Sequence, residues 1–108
     1  LLRPAGDRLA VALKAVGMSR PRAPVINNVD VMANFETEEI IDALVRQAYS
    51  PVRWVEVVMA LQSMGITHVI EFGPGKVLGG MIKRIAPGLK VGAVFDATSL
   101  ESTLKELA

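Results

Sequence analysis

No cysteine occurs in this sequence. That single absence excludes disulfides, thiolate metal ligands and cysteine nucleophiles, and it suits a reducing cytoplasm. His68 is the only histidine, so no metal site is expected, since ordinary carboxylates alone would have to accompany it. Charge of one sign is lacking as well: 12 basic against 11 acidic residues leave a formal +1, which gives no footprint for nucleic acid. No apolar run approaches the roughly 18–20 residues of a membrane span, and Leu1-Leu2-Arg3-Pro4 does not resemble a signal peptide. A G-x-S-x-G elbow is missing too, so no serine nucleophile is expected among residues 1–108. The chain opens without Met and enters a helical pattern almost at once, as a piece of a longer chain would.

What is present is ordinary globular material. With 108 residues, 51% hydrophobic and 21% charged, one piece with a single core is expected. Pro4, then Leu9, Ala10, Leu13 and Val16 at helical spacing, then Gly17, predict a first helix of about three turns. Val25-Ile26 reads as a short strand ending at Asn27-Asn28, and 29–34 is either an irregular excursion or a second strand. Thr37, followed by Glu38 and Glu39, is the expected N-cap of a second helix running to about Tyr49. A third runs from Pro51 to Met64, before Gly65. Val69 to Phe72 reads as a strand, Gly73-Pro74-Gly75 as a tight turn, and Val77 to Ile85 as an amphipathic helix stopped at Pro87-Gly88. Val91 to Phe95 gives a last strand, and Thr98 with Glu101 a capping box for a terminal helix. Strands alternating with helices predict an α/β class: a short, partly parallel sheet flanked by about five helices.

Two stretches carry possible chemistry. Strand, glycine turn and helix over 69–85 could place backbone N–H groups near a ligand, and the turn resembles the first motif of S-adenosylmethionine-dependent methyltransferases, with Asp96 standing where a ribose-binding acid would be. Val77 in place of the third glycine, and the short tail after Asp96, count against that. On the same helix, Lys76, Lys83 and Arg84 share a side; such a cluster is either a solvated face or a docking surface for an acidic partner.

The other stretch is the junction of the second and third helices, where Ser50 is the expected N-cap and Pro51 the first helical residue. A helical carbonyl at residue i accepts from the N–H of residue i+4, and for Gln47 that residue is Pro51, which has none. The Gln47 carbonyl is therefore left over in the last turn, at the negative end of the helix dipole. Water, a neighbouring side chain or an imidazole N–H would satisfy it.

Asn27-Asn28-Val29-Asp30-Val31, then Leu44-Val45-Arg46-Gln47-Ala48-Tyr49-Ser50-Pro51-Val52-Arg53-Trp54, then Glu71-Phe72-Gly73-Pro74-Gly75-Lys76-Val77-Leu78, in this order and spacing, resemble the C-terminal part of bacterial malonyl-CoA:acyl-carrier-protein transacylases. The glycine turn is shared with the acyltransferase domains of polyketide and fatty-acid synthases. The resemblance implies that residues 1–108 are the C-terminal portion of an acyltransferase catalytic domain with an α/β-hydrolase-like core. It implies a cytoplasmic enzyme of fatty-acid synthesis whose serine moves malonyl from coenzyme A to the phosphopantetheine thiol of acyl carrier protein, with a histidine as base. Coenzyme A thioester is then a substrate and no permanently bound cofactor is expected; the partners are acyl carrier protein, malonyl-CoA and the missing N-terminal part of the chain, with no nucleic acid and no membrane. Gln47 takes the position whose main-chain carbonyl orients the histidine, Asn28 is expected near the pocket wall, and Lys76, Lys83 and Arg84 are expected to dock the carrier. The serine, the histidine and the malonate-binding arginine would lie outside this chain, leaving it inactive alone. A polyketide synthase acyltransferase domain, a non-catalytic α/β interaction module and a methyltransferase fragment are the alternatives.

Overall fold

Helix α1, Arg3–Ala15, begins with Pro4 in its first turn, where a missing N–H costs nothing, and ends as Val16 turns extended. The computed structural model to which it belongs describes residues 2–108. The chain divides into two compact units, one up to Val57 and one from Val58 on.

In the first unit, β1 (Val25–Ile26) and β2 (Ala33–Asn34) pair antiparallel, so the stretch left open by the sequence does return as a strand. Helix α2, Thr37–Gln47, follows. Thr37 is its first residue rather than its cap; Glu36 holds the extended cap position and makes no side-chain cap bond. The acids Glu38 and Glu39 complement the helix dipole in the first turn instead. Helices α1 and α2 approach closely at Gly6, where an added Cβ would meet the Tyr49 ring at 2.8 Å and the Val45 carbonyl at 3.3 Å. The Arg3 guanidinium lies 4.9 Å from the centre of the same ring, a cation–π contact. Ala43 is fully buried.

Helix α3 spans Trp54–Ser63, which corrects the expected start. Ser50 is not its cap and Pro51 is not its first residue, because residues 51–53 stay outside the helix. The Arg53 N–H is committed to the Asn28 carbonyl at 3.3 Å, and the Arg53 carbonyl accepts the first helical bond, from Val57 N at 3.0 Å. A tertiary hydrogen bond thus outweighs the local preference for proline at a helix start. The other end follows the sequence: Gly65, at φ +84°, makes the left-handed turn after Ser63.

In the second unit, β3 (His68–Phe72), α4 (Val77–Ile85) and β4 (Lys90–Val94) form one parallel crossover, in register from His68 opposite Lys90 to Phe72 opposite Val94. Helix α5, Ala97–Leu107, follows and packs on β4. Its cap is Asp96, whose carboxylate accepts Ser99 N at 2.8 Å while Ser99 Oγ accepts Asp96 N at 3.1 Å. This capping box replaces the expected Thr98–Glu101 pair, because the strand delivers its terminal acid two residues earlier in the chain. Val58, Ile82, Ala86 and Leu89 are the buried apolar residues here. Among the described residues the class is α/β with five helices, but the expected single sheet is two separate two-stranded ladders, one antiparallel and one parallel.

Candidate functional site

The last turn of α2 tightens as it ends: Ala48 N donates to Val45 O at 3.2 Å and Tyr49 N to Arg46 O at 3.3 Å, each three residues back. The next carbonyl, that of Gln47, receives no N–H or hydroxyl from the described residues. Pro51 is one reason. The other is that Ser50 N, the remaining donor within reach at i+3, makes no hydrogen bond to it.

Around this carbonyl the chain builds a brace from the β1–β2 loop. Asn27 is buried at 7% exposure and organises the loop from within: its Oδ1 accepts Val29 N at 3.2 Å and Asp30 N at 2.7 Å, and its Nδ2 donates to Met32 O at 3.1 Å. Val31 is held at φ +57°, a left-handed conformation that a β-branched residue adopts only when its surroundings impose it. The loop is then tied to α2 twice. Asn28 N donates to Gln47 Oε1 at 2.8 Å, and the Arg46 fork donates to both Asp30 oxygens, at 2.9 and 2.6 Å. Arg46 Nε also donates to Asp42 Oδ2 at 2.9 Å. Arg53, beyond the proline, donates from Nη1 to Val29 O at 3.3 Å and pairs through its other nitrogens with Glu56.

Electrostatics follow the geometry. The hydrogen bonds from Arg46 hold the Asp30 carboxyl below its ordinary range and push the guanidinium further up; both groups are charged at neutral pH. Arg53 does the same for Glu56. The site therefore presents one neutral, directional acceptor beside locked ion pairs.

Gln47 and Asn28 are brought together, by a hydrogen bond from the Asn28 main chain. Arg46 is half-buried and bonded to Asp30. Its i,i+4 pairing with Asp42 was readable from spacing, whereas Asp30, sixteen residues away, had no such signal.

In the second unit a groove of about 490 Å³ runs along β4 between α4 and α5, bordered by Lys76, Lys83, Ser99 and Glu106. Lys76 caps it, its ammonium 4.7 Å from the centre of the Phe95 ring. Arg84, exposed on the next position of α4, does not border the groove. The glycine turn is no anion cradle: Glu71 Oε1 accepts Gly79 N at 3.0 Å and Oε2 accepts Leu78 N at 3.4 Å, so the N-terminus of α4 already holds a carboxylate. Asp96, the acid the methyltransferase reading needs, is consumed by Ser99, whose hydroxyl and backbone hydrogen bonds lower its pKa. His68 Nδ1 lies 2.9 Å from Thr67 Oγ1. Among the described residues no group of three His, Cys, Asp or Glu side chains is arranged to hold a metal, and no helix is long and apolar enough to cross a membrane.

No protein-family model matches the chain. Along 98% of its length it is 43% identical to a malonyl CoA-acyl carrier protein transacylase of Salmonella typhimurium, of which it covers 34%. A solved acyl-carrier-protein S-malonyltransferase from Burkholderia pseudomallei superposes with a TM-score of 0.88 at 50% identity, over 95% of this chain and 34% of that one. A complex of a type II PKS acyl-carrier protein with its malonyl-transacylase superposes with a TM-score of 0.89 at 45% identity, over 97% of this chain and 34% of the other. The chain spans about a third of the length of the curated relatives it matches.

Proposed function

We infer that this chain, which belongs with the malonyl CoA-acyl carrier protein transacylases as a piece spanning about a third of their length, carries the acceptor that orients the catalytic histidine of its parent enzyme. The observation behind this is the Gln47 carbonyl, unpaired among the described residues and braced on both sides. A serine and a histidine from the rest of the parent do the chemistry. The serine Oγ attacks the malonyl thioester carbonyl, the imidazole takes its proton, and coenzyme A leaves as the thiol; the acyl-serine is then attacked by the carrier's phosphopantetheine thiol. An imidazole donating Nδ1–H to Gln47 O keeps Nε2 free as the base, so the neutral carbonyl fixes the tautomer that an aspartate fixes in other serine enzymes. It stabilises the transient imidazolium less than a carboxylate does.

The rest of the reading follows the same parent. Residues 1–108 are the C-terminal portion of its catalytic domain, the core is α/β-hydrolase-like, and the enzyme is cytoplasmic with coenzyme A thioester as substrate rather than cofactor. The outer segments of the parent would cover Phe72 and Val77, about three-quarters exposed here, and supply an acceptor for the buried Trp54 Nε1, which has none among the described residues. Lys76, Lys83 and, outside the groove, Arg84 would meet an acidic carrier protein.

The full-length parent tests this directly. Malonyl-CoA and holo carrier protein should give ping-pong kinetics, and the imidazole should sit within hydrogen-bond distance of Gln47 O; a parent that transfers malonyl to no carrier protein overturns the reading. Lys83→Glu should raise KM for the carrier and leave KM for malonyl-CoA unchanged. Equal effects on both would remove the docking role. The solved complex with a polyketide carrier favours a second destination for the acyl group, polyketide assembly, and kcat/KM on the two carrier types decides between them.

A further inference from the structure

We propose that Asp30 and Arg46 are positioning residues that aim the Gln47 carbonyl at the imidazole. The proposal rests on the reading of Gln47 given above. A carbonyl in the last turn of a helix with no N–H to accept is the part of the helix most free to tilt, since terminal turns fray. Here the peptide is clamped from both directions to one loop. The residue before it, Arg46, grips Asp30 with two parallel hydrogen bonds of 2.9 and 2.6 Å. Its own side chain accepts Asn28 N at 2.8 Å. Beyond the proline, Arg53 N donates to Asn28 O at 3.3 Å. The loop receiving these ties is itself fixed by Asn27, through bonds to Val29, Asp30 and Met32.

Magnitudes separate a positioning role from a stabilising one. Asp30 and Arg46 keep about a third of their side-chain surface exposed (35% and 32%), and ion pairs that wet add little to stability. A planar fork does fix direction, however, because both N–H bonds are lost together when the guanidinium rotates. Asp42 would suffice to hold Arg46 along the helix surface; of its two acid partners, Asp30 is the one that ties it to the loop.

The test uses the full-length parent enzyme. Asp30→Asn and Arg46→Gln should each lower kcat about tenfold with KM for malonyl-CoA changed by less than about twofold, the pattern of a misplaced group rather than lost substrate binding. The acidic limb of the kcat/KM profile should move to lower pH, because an imidazolium that loses its acceptor gives up its proton more readily. Asp30→Glu should recover most of the rate. The double variant should be no slower than the slower single, as expected of residues acting as one unit. Unchanged kcat and an unmoved acidic limb in both single variants overturn the proposal, as does a double variant whose loss is the product of the singles. If Arg46→Gln does not fold, Arg46→Lys, which keeps the charge and loses the fork, takes its place with the same expected loss. A crystal structure of the unsubstituted parent keeps the two readings apart: no imidazole against Gln47 O removes the Gln47 reading and this proposal with it, whereas that contact present, and kept in Asp30→Asn with full activity, removes the proposal alone.

Discussion

The Gln47 side-chain oxygen accepts the Asn28 N–H at 2.8 Å across nineteen positions of sequence. The residue whose main-chain carbonyl is proposed to orient the histidine thus also holds, through its side chain, the loop that braces it. Gln47→Ala should therefore do more than a change at a backbone site ordinarily does. It leaves the partly buried Asn28 N–H without its acceptor, which costs about 1–3 kcal/mol, and kcat of the parent enzyme should fall. Gln47→Glu keeps an acceptor oxygen in the same place and should stay near the original rate. Equal rates for the two, read by steady-state malonyl transfer, would place the side chain outside the mechanism.

Pro51 keeps the Gln47 carbonyl from acquiring a helical donor. Pro51→Ala supplies an N–H at the i+4 position, so acylation should slow while KM for malonyl-CoA holds. Burst kinetics measure this, and an unchanged burst rate would show that the turn alone keeps the carbonyl open.

Gly6 is the contact point between α1 and α2, and its missing Cβ leaves room for the Tyr49 ring. Gly6→Ala should destabilise by about 1–3 kcal/mol, the usual cost of overpacking, with Gly6→Val worse. Denaturant melts of the parent, read by tyrosine fluorescence, check the order. Because Tyr49 lies two residues beyond Gln47, activity should decline along the same series.

Acid should release the loop. The Asp30 carboxyl is held below its ordinary range by Arg46, so the unfolded chain binds more protons than the folded one as pH falls. The pair's contribution is fully present above about pH 4, the carboxylate's unfolded value, and is lost as pH drops through the lowered folded value. The stability difference between the parent and its Asp30→Asn variant should be constant from neutral pH down to that point and shrink below it. A difference that grows on acidification would reverse the assigned sign. Glu56 and Asp96, also depressed, act in the same direction and are present in both proteins.

Local pattern carried much of this fold and rather less of its site. Helical spacing and glycine or proline punctuation located all five helices, and hydrophobic runs located β1, β3 and β4, because those signals are set within a few residues. Helix starts were read less well. Pro51 looked like a first helical residue, yet the Asn28 carbonyl draws Arg53 N away and α3 begins at Trp54; the Asp96–Ser99 cap displaced Thr98–Glu101 in the same way. The free Gln47 carbonyl was legible because it follows from covalent chemistry, proline having no N–H. The Asp30–Arg46 fork was not, since its partners meet only after the loop has closed on Asn27. The two small ladders in place of one sheet had the same cause: which strands pair is a tertiary choice that alternation cannot specify.

Glu71 reaches across the glycine turn to the amides of Leu78 and Gly79, so strand and helix are riveted on either side of residues 73–76. Bending that turn would break both bonds at once. The Gly79 amide, placed in a first helical turn where deuterium ordinarily enters freely, should therefore exchange as slowly as one deep inside a helix.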